Sequence, residues 1–175
     1  PFRQTDAHNT LTLAHQSSAE IWGEGYVGRC PEKIKFTMRQ EPGTGHGMEA
    51  QHDGYRHLAA RHTRRLFLNT EGTDLRGEDT IERKKNKHVP VQAHFHLHPD
   101  VSYTLISNAE VELTLGDNTK LIFKVKGGQI YDSECLYCPQ GGVPHESRKL
   151  VVRGAWQKDK CVINWGLRLK HEGEA

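Results

Sequence analysis

Twelve histidines in a chain of 175 residues make imidazole the side chain most able to do chemistry here. Near neutral pH it can accept a proton or bind a metal ion. The densest group is His94-Phe95-His96-Leu97-His98. Side chains alternate faces along an extended strand, so these imidazoles are expected on one face, with neighbouring Cβ atoms roughly 6.5–7 Å apart. Two of them could grip one metal ion, although spacing does not name the remaining ligands. A polar strand face that merely hydrogen-bonds to its surroundings would give the same pattern. His8, in Ala7-His8-Asn9-Thr10-Leu11, reads as a strand-start residue sharing a polar face with Thr10 and Thr12, while Leu11 and Leu13 turn the other way. There are four cysteines, Cys30, Cys135, Cys138 and Cys161. Cys135 and Cys138 form a C-x-x-C, but no second pair completes a four-thiolate zinc site. Residues three apart on a strand also point to opposite faces, so ordinary strand cysteines are expected.

The elements that must position these groups are strands. Val91, Ala93, Phe95 and Leu97 alternate with polar residues, as do Val111, Leu113 and Leu115, then Leu121, Phe123 and Val125, and finally Cys161, Ile163, Trp165, Leu167 and Leu169. A period of two is the signature of a strand with one face on a core. Gly116-Asp117-Asn118 and Gly127-Gly128 supply the positive φ of tight hairpins, while Pro42-Gly43-Thr44-Gly45 and Pro139-Gln140-Gly141-Gly142 mark longer loops. Residues 70–90 read as the most polar internal connection. No stretch has convincing helical spacing with caps. The expectation is an all-β, antiparallel β-sandwich of about a dozen strands with very little helix, in one domain over residues 1–175. Phe95, Leu97, Leu113, Phe123, Ile163 and Trp165 should be buried.

Composition bounds the partners. Twenty-four basic residues against twenty-two acidic ones leave a net charge of +2, which gives no reason to expect a nucleic-acid partner. The dense run Arg83-Lys84-Lys85-Asn86-Lys87-His88 reads as a solvated loop, with contact to an acidic polymer as the other reading. No apolar stretch approaches the roughly 18 residues of a membrane-spanning helix, so no membrane partner is expected. There is no basic-then-apolar leader at the start.

Two family resemblances compete. A cupin carries H-x-H on one strand and P-x-G-x-x-H on a later one. His94, His96 and His145 would then be metal ligands, but His145 lies one residue too far from Pro139 and Gly141, and Asp100 stands alone where an acid should follow the first motif. The second resemblance covers nearly the whole chain. Ala7-His8-Asn9-Thr10-Leu11, His52-Asp53-Gly54-Tyr55, His62-Thr63-Arg64-Arg65-Leu66, Leu75-Arg76-Gly77-Glu78-Asp79 and Phe95-His96-Leu97-His98-Pro99-Asp100-Val101 occur in the order found in heparinase II/III-like proteins. Ser133 to Tyr137 and Trp165-Gly166-Leu167-Arg168-Leu169 resemble that family's closing strands.

The resemblance implies the C-terminal β-sandwich of a polysaccharide lyase, whose N-terminal helical toroid is absent from this chain. Such lyases cut acidic polysaccharides by β-elimination in a cleft between toroid and sandwich, and the toroid supplies most of the catalytic groups. The expected partners are therefore an acidic polysaccharide and the missing toroid. The chain alone is expected to be inactive, and a bacterial periplasmic or cytoplasmic location is implied. His8 matches the family's catalytic histidine from the sandwich. Some members hold a structural metal, which implies a divalent zinc or calcium ion with His52 as a ligand and Glu24 as its carboxylate; Thr10 stands where some relatives place a second histidine.

Overall fold

The computed structural model describes residues 2–84, 88–139 and 142–170, and of Glu24 and Glu41 the backbone only. Thirteen strands run through the described residues: β1 Leu11–Leu13, β2 Ile34–Glu41, β3 Gly45–His52, β4 Ala60–Asn69, β5 Asp74–Arg83, β6 Val91–His96, β7 Ser102–Ser107, β8 Glu110–Thr114, β9 Lys120–Lys126, β10 Gly128–Tyr137, β11 His145–Gly154, β12 Trp156–Gln157 and β13 Lys160–Leu169. The helical content is three short 3₁₀ turns. Every strand pairing is antiparallel. A four-stranded sheet in the order β1-β6-β11-β10 packs on a nine-stranded one in the order β2-β3-β4-β5-β13-β9-β8-β7, with β12 paired to β13. This is the antiparallel sandwich that the period-two segments imply.

Register explains which side chains meet. In the large sheet Leu75, Gly77, Asp79 and Ile81 of β5 lie opposite Leu167, Trp165, Ile163 and Cys161 of β13. Phe123 of β9 lies opposite Leu167 and Val111. These residues form the inner face. The smaller sheet answers with Leu11, Leu13, Val91, Ala93, Leu150 and Val152 in one buried cluster. Leu113, Phe123 and Ile163 are buried, and Phe95, Leu97 and Trp165 pack against them at the cluster's edge. Each fully buried aliphatic side chain contributes about 1.5–3 kcal/mol relative to exposure. The opposite face of the large sheet is charged, with Arg65 bridging Glu49 and Glu78. On edge strand β2, however, Ile34, Phe36 and Met38 extend the inner face and stay exposed.

Several local expectations change. Residues 70–90 contain β5, a central strand rather than a connection. Its period is hidden because two inner positions are Gly77 and Asp79, which serve partners other than the apolar core. Pro42-Gly43-Thr44 is a tight link between β2 and β3, with Gly43 at φ 78. Asn118 (φ 66) and Gly127 (φ 85) are the positive-φ residues of the other two turns. Arg83 is buried at the end of β5 rather than solvated, and Lys85-Asn86-Lys87 lie outside the described residues.

Candidate functional site

His8 does not lie in a strand. It caps a 3₁₀ turn over Thr5–Ala7, its N–H donating to the Thr5 carbonyl, and β1 begins only at Leu11. Its imidazole is exposed, as expected, but Thr12 is buried and not on a shared polar surface. The covering layer is the N-terminal segment itself, whose 3₁₀ turn packs on β1 and β6.

The backbone around His8 is tied down on both sides. His96 Nε2 donates to the Asp6 carbonyl (2.9 Å), which Lys149 Nζ also reaches (3.3 Å). The Asn9 carbonyl accepts from Arg64 Nη1 (2.5 Å), and Asn9 Oδ1 accepts from the His96 backbone N–H (2.7 Å). Two residues on, the Leu11 carbonyl accepts from the hydroxyl of fully buried Tyr55 (2.8 Å). The Thr5 hydroxyl accepts from Ser18 N–H (2.9 Å), and Ser17 Oγ accepts from Thr5 N–H (3.0 Å). The side chain of His8 projects from a loop held on both sides.

Behind Arg64 stands a buried carboxylate. Asp79, with no exposed surface, accepts from His62 Nε2 and Arg64 Nε (both 2.7 Å), Arg64 Nη2 (2.8 Å) and Trp165 Nε1 (3.0 Å). Burial alone raises its pKa, but the hydrogen bonds from His62 and Arg64 outweigh it and hold the carboxyl well below the usual range. His62 Nδ1 in turn accepts from His52 Nε2 (3.1 Å), and His52 Nδ1 accepts from Gly54 N–H (3.1 Å). Position 54 must be glycine for that approach, since a Cβ would sit 2.6 Å from the Ser18 carbonyl oxygen.

The segments that looked scattered along the sequence therefore meet. Asn9 and Leu11, Gly54 and Tyr55, His62 and Arg64, Asp79, His96 and Trp165 form one hydrogen-bonded assembly under the His8 loop. Between the sheets beside it is a cavity of about 200 Å³, with Phe95, Leu97, Phe123 and Leu167 as apolar walls and Asn9, Arg64 and His96 as polar ones. Sequence reading picked out these segments but assigned no role to Arg64, Asp79 or Tyr55. The signal available was a charged residue at an inner-face position of a strand, which must find a partner.

The metal expectation does not fit this arrangement. Both ring nitrogens of His52 are engaged, by Gly54 and His62, leaving no lone pair for an ion, and the Glu24 side chain lies outside what is described. His94 and His96 share the outer face of the small sheet, but His98 falls in the following turn, stacked edge-on to Tyr137. His94 Nε2 pairs with Thr12 Oγ1 (2.9 Å) and its buried Nδ1 has no partner. His145 starts β11 four residues before Lys149, the register partner of His96, so it lies roughly 13 Å along the sheet. The cupin-type ligand set is thus not assembled, and the middle of its second motif, Gln140-Gly141, lies outside the described residues. Among the described residues no three histidine, cysteine, aspartate or glutamate side chains converge as a metal site. The four cysteines are free; Cys161 is a core residue whose thiol burial pushes up to about 11.

A family of heparinase II/III-like C-terminal domains matches residues 1–166. The chain belongs to this heparinase II/III-like C-terminal family. Heparan sulfate lyase HepC from Pedobacter heparinus superposes with a TM-score of 0.78 at 14% identity, over 99% of this chain and 26% of that one. A heparinase III structure gives 0.72 at 15% identity, over 96% of this chain and 24% of the other. FtsZ-localized protein C of Caulobacter vibrioides is 30% identical over 132 residues, which is 66% of this chain and 23% of that protein. The chain thus spans about a quarter of the length of these relatives.

Proposed function

We propose that this chain forms the sandwich wall of a polysaccharide-lyase cleft and presents His8 to a uronic-acid-containing polysaccharide cleaved by β-elimination. The observation that carries this reading is an exposed imidazole on a backbone fixed by Arg64, His96, Lys149 and Tyr55. A group held in this way loses little on reaching the productive geometry, as proton transfer at a substrate requires. In the reaction a base removes the proton α to the uronate carboxyl group, the electron pair forms the C=C bond and the glycosidic oxygen leaves with a proton. His8 serves at the carboxylate or at one of these protons. The remaining groups belong to a helical toroid, so residues 1–175 alone turn over no substrate.

The test is His8→Ala in the full-length polypeptide, assayed on heparan sulfate, alginate and related uronates by the absorbance of the unsaturated product. Turnover should fall by roughly 10² or more with the unfolding midpoint unchanged, because an exposed side chain leaves no cavity. Wild-type turnover retained by His8→Ala would remove the role. A second reading, a sandwich that packs and localises without chemistry, draws on the exposed Ile34, Phe36 and Met38 and on the relative named for localisation to FtsZ. A full-length polypeptide inert on every uronate polymer would favour it.

A further inference from the structure

Among the described side chains that touch the His8 loop, Arg64 links it to a fully buried charge. Its Nε and Nη2 fork onto the Asp79 carboxylate at 2.7 and 2.8 Å, and its Nη1 reaches the Asn9 carbonyl at 2.5 Å. The guanidinium also lies 5.8 Å from the Trp165 ring centre, and Trp165 Nε1 holds the same carboxylate. Gly77 makes room for that indole, since a Cβ there would lie 2.1 Å from it. The planar fork is thus fixed in rotation by Asp79 on one edge and by Trp165, and this also fixes the directions of the Nη1 N–H bonds. Nη1 meets the carbonyl of the Asn9–Thr10 peptide, one residue beyond His8.

We propose that Arg64 is a positioning residue for His8, fixing the Asn9–Thr10 peptide just beyond it against the buried Asp79 so that the imidazole is presented in one orientation. This rests on the lyase reading above. It assigns Arg64 a role in the reaction that contact with substrate does not explain, and it makes Asn9 the joint through which the role is exerted. The two bonds to Asn9 come from different sheets, Arg64 from β4 and His96 N–H from β6. The His8 loop therefore clasps the two sheets at the mouth of the cavity they enclose.

The decisive variants are Arg64→Lys, Asn9→Ala and Asn9→Asp in the full-length polypeptide. A lysine keeps the charge opposite Asp79, but its compact ammonium lacks the planar span that forks onto the carboxylate and reaches the Asn9 carbonyl together. A misplacement on the order of 1 Å costs about 10²-fold in rate. Arg64→Lys should therefore lower kcat by roughly 10²-fold with KM changed little. Asn9→Ala, which deletes the acceptor for His96 N–H, should also lower kcat, and Asn9→Asp, which restores an acceptor, should recover most of it. The Asn9 pair tests the joint. Should Arg64→Lys fail to fold, Arg64→Gln, which keeps an amide donor toward Asp79 but cannot also reach the Asn9 carbonyl, tests the arginine by the same loss of kcat. Arg64→Lys that folds and keeps wild-type kcat, or Asn9→Ala and Asn9→Asp that behave alike, would overturn the proposal. If the wild-type polypeptide turns over no uronate polymer, the lyase reading fails by itself. The positioning claim is then judged by amide exchange of residues 8–10, which Arg64→Lys should speed about tenfold or more and which, left unchanged, would refute it.

Discussion

Replacing Asp79 by asparagine keeps the side-chain volume and removes one charge, which makes it a clean probe of the buried assembly. Asp79 Oδ1 takes His62 Nε2 and Arg64 Nε, while Oδ2 takes Arg64 Nη2 and Trp165 Nε1. All four partners are donors. Whichever way an amide is turned, its NH₂ faces two of them, so two hydrogen bonds are lost, and each turn loses at least one from the guanidinium. The Arg64 side chain, 17% exposed, is also left without its counter-charge. Hydrogen bonds to charged groups contribute about 1.5–3 kcal/mol each, and breaking a buried ion pair costs about 3–5 kcal/mol. A loss of about 3–5 kcal/mol is expected, or roughly 6–20 °C in unfolding midpoint at 2–4 °C per kcal/mol for a chain of this size. Glu49→Gln is the control, because it breaks an Arg65 pair that is about half exposed on both sides and should cost less than about 1 kcal/mol. Both are read by urea and thermal unfolding of the purified chain. If Asp79→Asn shifts stability no more than Glu49→Gln, the carboxylate does not organise the site and the reasoning above fails.

Acid should weaken the fold in a defined window. Burial lowers the pKa of His52 to about 4, with His62 adding to the effect and Asp53 opposing it, and burial likewise lowers His94 to about 4. The unfolded chain protonates these groups near 6.5, so between 6.5 and 4 it binds more protons than the folded chain, and stability falls as pH drops through that range. Each histidine contributes at most about 1.4 kcal/mol per pH unit. Urea midpoints flat over that window, or a slope that His94→Gln does not reduce, would contradict this. Gly77→Ala should destabilise by about 1–3 kcal/mol and alter tryptophan emission, because the new methyl group displaces the Trp165 indole; a silent substitution would show the indole lies elsewhere.

The sandwich was legible because alternation survives wherever a strand faces the core on one side, as in β6, β8, β9 and β13. It failed at β5, where Gly77 makes room for an indole and Asp79 holds an arginine; side-chain period cannot show a strand whose inner face serves partners from other strands. His8 stood out by type, and its exposure follows from a 3₁₀ cap rather than from strand alternation, since β1 starts three residues later. Arg64 and Asp79 were invisible as a pair because they are fifteen residues apart, and only the β4–β5 register sets them opposite each other. His52 illustrates the limit from the other side. Its residue type suits a metal, but the neighbours that occupy both ring nitrogens come from Gly54 and β4.

The large sheet closes on its last strand. β2 to β5 form a ladder of successive neighbours, and β7 to β9 another, but they are joined only by β13 between β5 and β9. Until residues 160–169 arrive to seal them, the two half-sheets each carry an open edge. Trp165, which holds Asp79, comes with that final strand. The site around His8 therefore matures only once β13 has paired, and a chain cut shortly before β13 would carry two unpaired edges competing for strands from other molecules.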